Sequence, residues 1–324
     1  MLKRLTAVTA GTVLSSYLYS KVVEKRSYPS FLFEMMLRVT RVKQTFVTAE
    51  NAQRMMDKVS PSTKGPFKGT SYHFKHKVEV YDVQGQTVYI INNQNDRQQS
   101  TVLYIHGGAW FRDPRDQHFS FVDDLAATLD AKIVMPIYKK VPHADYRTTF
   151  ELLETLYKGL LSQVESAHQL TIMGDSAGGQ MALSFAQYLK TLQLPQPSNI
   201  VMISPLLDAT LSNPEAKRYE CDDPMIAIPG GKFFLNLWAG DRPLEDWRLS
   251  PINGDLTHLG HMTIIIGTKE TLYPDAERLS HKLNEQMIPH DFIIGYNLFH
   301  VFPIFPIPER KRILNQLKQI IHKH

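Results

Sequence analysis

An α/β fold with a mostly parallel eight-stranded sheet and helices on both faces is predicted by two patterns and one composition in this chain of 324 residues. Eight short runs read as strands: 73–83, 86–91, 101–105, 132–138, 170–174, 199–203, 262–266 and 291–296. The last six are continuous apolar runs separated by helix-length stretches, as a sheet buried on both faces requires. With 43% hydrophobic and 21% charged residues the chain supplies one large core, which excludes disorder as its dominant state.

Taken in order, the first element is an uncharged run of 16 residues, Leu5 to Ser20, with Lys3 and Arg4 before it and Lys21, Lys25 and Arg26 after it. That is the outline of a secretory signal or short anchor, yet as a helix it spans only about 24 Å against a hydrocarbon core of ~30 Å. No small-residue cleavage site stands out before Lys21. Residues 1–26 are therefore expected to be an uncleaved signal-anchor, a membrane-associated helix or a helix docked on the fold, and to be dispensable for chemistry. Localisation is expected to be membrane-associated through this segment, or cytoplasmic.

Residues 27–66 are predicted as an N-terminal helical cap. Phe31, Met35, Val39, Val42 and Phe46 recur at three- and four-residue steps, and two helices over 30–58 are expected to stop at Ser60-Pro61 and Lys64-Gly65-Pro66. The α/β domain follows over 67–324. Its first two strands read as a hairpin across Gly85. The clearest helices cover 144–164, 177–192, 274–287 and 308–322. In the last, Pro308 suits a first helical position, and Ile313, Leu314, Leu317, Ile320 and Ile321 form a stripe that should pack on the sheet. The interval of about 205–260 is too long for a plain crossover. Phe233, Phe234, Leu237 and Trp238 mark a helix within it, and a lid-like insertion over the site is expected.

Net charge is +4, with 14 basic and 5 acidic residues in the first 80 positions, which leaves that portion at +9 and the rest at −5. By charge alone the basic portion faces an anionic membrane surface or nucleic acid, or is a solvated face. Taken with the uncharged run it is read toward membrane association, and no nucleic-acid partner is expected. One cysteine, Cys221, can neither close an intramolecular disulfide nor build a Cys-rich zinc site.

The chemistry centres on strand 170–174, which runs into Gly174-Asp175-Ser176-Ala177-Gly178-Gly179 and then a helix. Glycines around a serine at a strand-to-helix turn permit a tight, strained bend that exposes the hydroxyl at the sheet edge. A serine hydroxyl needs a base, and the oxyanion it creates needs preorganised donors. His106-Gly107-Gly108-Ala109-Trp110 follows strand 101–105; the N–H groups of Gly107 and Gly108, with that of Ala177, are expected to form the oxyanion hole. His106 itself reads as a turn-stabilising residue. Among thirteen histidines, His300 is the expected base because it lies on the loop after the last strand. Glu270, beyond strand 262–266, is the expected orienting carboxylate; Asp275 and Asp208 are competitors. Trp110 and Phe111 are expected to bind substrate and to narrow the space beside the reacting carbonyl.

HGGAW, GDSAGGQMA, SPLLD and GTKETLYPD followed by a histidine, in that order, resemble the bacterial esterases of the hormone-sensitive-lipase type, which have the α/β-hydrolase fold. The resemblance covers about residues 70–322. It implies a Ser176, Glu270, His300 triad and Gly107, Gly108 and Ala177 as oxyanion donors. Two departures stand out: the family usually has Asp where Glu270 stands, and His143 replaces an acid in the segment 138–143. The expected function is a serine carboxylic ester hydrolase acting through an acyl-enzyme on small-molecule, short-chain esters. A peptidase or amidase on the same fold, or a non-catalytic binding protein, are the alternatives. No cofactor and no metal are expected: the sequence has no phosphate-loop or dinucleotide fingerprint, and His258 and His261 lack a third ligand. Oligomeric state is not legible.

Overall fold

The computed structural model describes residues 13–323. One eight-stranded sheet runs in the order β1-β2-β4-β3-β5-β6-β7-β8. Strands β1 (Val78–Val83) and β2 (Gln86–Ile91) form the hairpin, and β2 also runs antiparallel to β4 (Lys132–Pro136). At the turn between them, Gln84 and Gly85 have φ of 55° and 71°, the two positive angles that a two-residue hairpin of matching twist needs. Strands β3 (Thr101–Ile105), β5 (Leu170–Asp175), β6 (Asn199–Ile203), β7 (His261–Lys269) and β8 (His290–Phe299) are parallel with β4.

Because successive side chains of a strand point to opposite faces, the apolar runs feed two cores. On one face Leu103, Ile172, Ile200 and Ile264 pack with Leu153 of α4 (Tyr146–Gln163), Phe185 of α5 (Ala177–Thr191) and Leu283 of α8 (Tyr273–Glu285). On the other, Val102, Met173, Val201 and Ile265 pack with Leu125 of α3 (Asp116–Leu129) and Leu317 of α9 (Pro308–Ile321). The parallel strands thus deliver their C-terminal ends to one edge, where an open α/β sheet holds its site.

Ahead of the sheet come α1 (Tyr28–Val39), a tight turn at Val42–Thr45 and α2 (Ala49–Thr63). Pro61 does not break this region: α2 runs through it to Thr63. In the last turn a proline forfeits only one ladder bond, and the Ser62 and Thr63 hydroxyls donate back to Val59 O and Ser60 O. Strand β1 also starts later than residue 73, because the preceding segment is held by Asp123 of α3. That buried carboxylate accepts from the Tyr72 hydroxyl and the Lys75 N–H, each at 2.9 Å, and lies 2.6 Å from His76 Nδ1.

The interval 205–260 contains α6 (Ala216–Asp222) and α7 (Ile228–Ala239). Here α7 crosses the N-terminal elements at Gly230, whose N–H donates to Phe46 O at 2.8 Å. A Cβ at Gly230 would lie 2.4 Å from Phe46 Cα, so only glycine permits the crossing. Residues 1–12 of the expected anchor lie outside the described residues. Residues 13–18 are helical and continue into a wider turn at Tyr19–Val23. A boundary at residue 26, however, would cut through a buried ion cluster. Arg26 is 2.6 Å from both Glu24 and Glu34, and Lys269 Nζ at the end of β7 is 2.5 Å from Glu24 and 3.2 Å from Glu34. Residues 24–26 therefore belong to the folded body, through Glu34 and Lys269.

Candidate active site

Ser176 sits between β5 and α5 with φ 54° and ψ −117°, a conformation costly for a residue with a side chain. The neighbouring glycines act by close approach: a Cβ at Gly178 would lie 1.9 Å from Ile105 O, and one at Gly174 would lie 2.3 Å from Gly178 O. The turn therefore presses directly against the end of β3, while the Ser176 N–H donates to Ile203 O at 2.8 Å. Strain at the serine is held by packing on both sides of it.

His300 follows β8 directly and is buried. Its Nε2 lies 2.9 Å from Ser176 Oγ, and its Nδ1 lies 2.7 Å from Glu270 Oε2. Glu270 follows β7 and is fully buried, with Oε1 accepting the Gly267 N–H at 2.5 Å and the Ser204 hydroxyl at 2.9 Å. Burial pushes the Glu270 carboxyl up, only partly offset by the His300 bond and the Gly267 N–H. Burial also works against a charged His300, but the hydrogen bond and charge of Glu270 outweigh it and hold the imidazole above its usual value. In such an arrangement Glu270 can hold Nδ1–H, leaving Nε2 to accept the serine proton.

Ser204, just past β6, carries no signal in the sequence beyond its place in SPLLD. Its hydroxyl donates to Glu270 and accepts the Val301 N–H at 2.9 Å, so one side chain links the carboxylate to the backbone after His300. The competing acids lie elsewhere: Asp275 bonds Asn213 and Arg278, and Asp208 bonds Arg278 at 3.1 Å. His261 pairs with Asp291 at 2.7 Å. His106 is fully buried, with Nδ1 2.6 Å from Gly107 O and its ring stacked on Tyr138. Burial, with the charge of Lys140 second, holds His106 well below the usual imidazole value. His143 lies 2.8 Å from Ser60 O, which ties its loop to α2.

The expected oxyanion donors need one correction. The Gly107 N–H is donated to Asp175 Oδ1 at 2.9 Å, the same oxygen that accepts the Tyr104 hydroxyl at 2.6 Å. A committed donor cannot serve a substrate oxygen. Gly108 and Ala109, next in the chain, have φ of 122° and 49° and line one cavity with Ser176 and His300. Trp110 and Phe111 also line it, but both rings are buried and stacked on the insertion: Phe111 on Phe234 at 4.0 Å, and Trp110 on Trp238 at 6.1 Å. They build the joint between turn and α7 as well as a wall. The cavity measures about 170 Å³; apolar side chains such as Leu206, Leu211, Ile228 and Ile304 bound much of it, and Arg112, Asp113, Arg115 and His118 add a charged and polar part.

Comparison with known proteins agrees with this architecture. The chain is 27% identical over 224 residues to an esterase from Acinetobacter venetianus, covering 67% of this chain and 73% of that protein. An acetyl-hydrolase from Streptomyces hygroscopicus is 27% identical over 221 residues, 66% of this chain and 72% of the relative. The crystal structure of a hormone-sensitive lipase from a metagenome library superposes with a TM-score of 0.75 at 21% identity, covering 91% of this chain and 98% of that one, which bears on fold alone. A family described as alpha/beta hydrolase fold matches residues 102–304, from β3 past His300. This chain belongs to the alpha/beta hydrolase fold family.

Proposed function

We propose that this hydrolase cleaves carboxylic esters through an acyl-enzyme on Ser176. The observation that carries the reading is the unbroken hydrogen-bonded chain from Ser176 Oγ through His300 to Glu270, at 2.9 and 2.7 Å. In the reaction Ser176 Oγ attacks the ester carbonyl as His300 Nε2 takes its proton. The tetrahedral oxyanion accepts hydrogen bonds from the N–H groups of Gly108, Ala109 and Ala177, none of which donates to another group among the described residues. Collapse breaks the bond to the alkoxy oxygen, which leaves with the proton from His300. Water then repeats the sequence on the acyl-enzyme and releases the acid.

Short acyl chains are the substrates we assign. A cavity of about 170 Å³ lies below the ~300–1,000 Å³ of sites for drug-sized ligands. The Streptomyces relative is named an acetyl-hydrolase, which agrees with that size. A panel of 4-nitrophenyl esters from acetyl to dodecanoyl, with matching anilides, tests both points. The expected result is a maximum kcat/KM at acetyl or butanoyl and little anilide turnover; a dodecanoyl maximum refutes the chain-length assignment, and an anilide preference refutes the ester assignment.

Residues 27–66 and 205–260 we read as cap and lid. They meet where Phe46 packs edge-on against Phe234, with ring centroids 5.7 Å apart, beside the cavity that Phe46 lines. We further assign the N-terminal segment to a membrane surface. Val13, Leu14, Leu18, Val22 and Val23 are 49–67% exposed, and Val39 on α1 reaches 81%. Among the described residues no helix is long and apolar enough to cross a membrane, so a helix lying in the interface, reinforced by Lys21 and Lys25, fits this surface.

A further inference from the structure

We propose that the esters this site takes carry an anionic group, a carboxylate or a phosphate, which Arg112 binds with help from Arg115. The inference rests on the esterase reading above and adds the substrate's charge to it. Both arginines line the cavity that holds Ser176. Arg112 is half-buried, with its guanidinium 4.8 Å from the Phe111 ring centroid, and among the described residues its side-chain hydrogen bond is a 3.3 Å contact to Thr45 Oγ1.

Among the described residues neither arginine pairs with a carboxylate. Asp113 lies between them in the chain and lines the same cavity, but its ion-pair partner is the buried Lys140 at 3.5 Å. Asp116 accepts from the Thr70 and Ser71 hydroxyls, both at 2.6 Å. Residues 1–12 contain no Asp or Glu that could supply the missing charge. Burial and the like charge of Arg115 push Arg112 down to about 10, which leaves it charged at neutral pH and without compensation. A half-buried cation facing a second cation is an unfavourable arrangement that an incoming anion relieves. The planar guanidinium fork suits a carboxylate or phosphate, which it can grip with two parallel hydrogen bonds. The rest of the lining is mostly apolar, through Leu37, Val42, Leu206 and Leu211; its other carboxylate, Asp175, is held by the Tyr104 hydroxyl, the Gly107 N–H and His118, so the fitting substrate has an apolar stretch and one anionic end.

The test measures kcat/KM on two matched pairs, which separate an anionic acyl group from an anionic alcohol. One pair is mono-4-nitrophenyl adipate with 4-nitrophenyl hexanoate; the other is 4-acetoxybenzoate with its methyl ester. The expected result is a preference of about tenfold or more for the anionic member of one pair, shrinking with added salt, and lost in Arg112→Gln. Arg112→Lys should restore part of it. Should Arg112→Gln fail to fold, Arg115→Gln on an exposed side chain should lower the same ratio. Preference for the neutral member in both pairs overturns the proposal. So does an equal loss on both members in Arg112→Gln, which would mean that Arg112 only ties the cap through Thr45. No turnover of any of these esters would overturn the esterase reading instead. In that case the rise in Tm with adipate, present in the wild type and absent in Arg112→Gln, decides the anion site alone.

Discussion

At the scale of single residues, the orienting role of Glu270 has a directional consequence. Because Glu270 holds His300 above the ordinary imidazole value of 6.5, the acid limb of kcat/KM should fall above that pH: the base is lost as pH drops through the raised value. Glu270→Gln should lower kcat on the order of 10³-fold and move the limb to lower pH, whereas Asp275→Asn should change either quantity little. A larger effect of Asp275→Asn would transfer the orienting role to it. The grouping of Ser176, Glu270 and His300 was legible because each follows an apolar run at the same sheet edge, a relation that spacing reveals. The oxyanion donors were only half legible. Which N–H in Gly107-Gly108-Ala109 is free depends on Asp175, whose carboxylate captures Gly107 from 68 positions away. Ser204 was hidden for the same reason, since its two partners are 66 and 97 positions distant.

Among the elements, the segment from Glu24 to α1 is pinned by charge as well as by the apolar packing of Phe33 and Leu37. Burial works against ionising Glu34, but Arg26, Lys269 and Arg38 together outweigh it and hold the carboxyl below its ordinary value of 4.5. A depressed carboxyl contributes stability that is present above about 4.5 and lost as pH falls through the lower folded value. Glu34→Gln should therefore destabilise the protein by about 3 kcal/mol at neutral pH, with the deficit vanishing in acid. Denaturant melts of both proteins at pH 7 and pH 3 check this; an unchanged midpoint at pH 7 would refute it. Strand and helix cores were legible from periodicity, whereas their ends were decided by tertiary partners. Asp123 withholds residues 72–76 from β1, and the site loops shorten because β7 and β8 run up to Lys269 and Phe299.

For the whole molecule, α1 joins an exposed apolar surface to the site, since it carries the 81% exposed Val39 and lines the cavity through Leu37. Leu14→Asp with Leu18→Asp changes two exposed side chains, at 59% and 49%, and should abolish co-sedimentation with vesicles containing anionic lipid while sparing turnover of 4-nitrophenyl butanoate. Co-sedimentation equal to wild type would refute the lipid role. The docking of residues 24–26 on β7 was not legible, because ion pairs across some 245 positions leave no periodic trace in the chain. A covalent intermediate on Ser176 is read out by intact-mass analysis after treatment with a fluorophosphonate. One adduct, mapped to Ser176 and absent from a folded Ser176→Ala, is the expected result; an adduct of equal yield in that variant would contradict it.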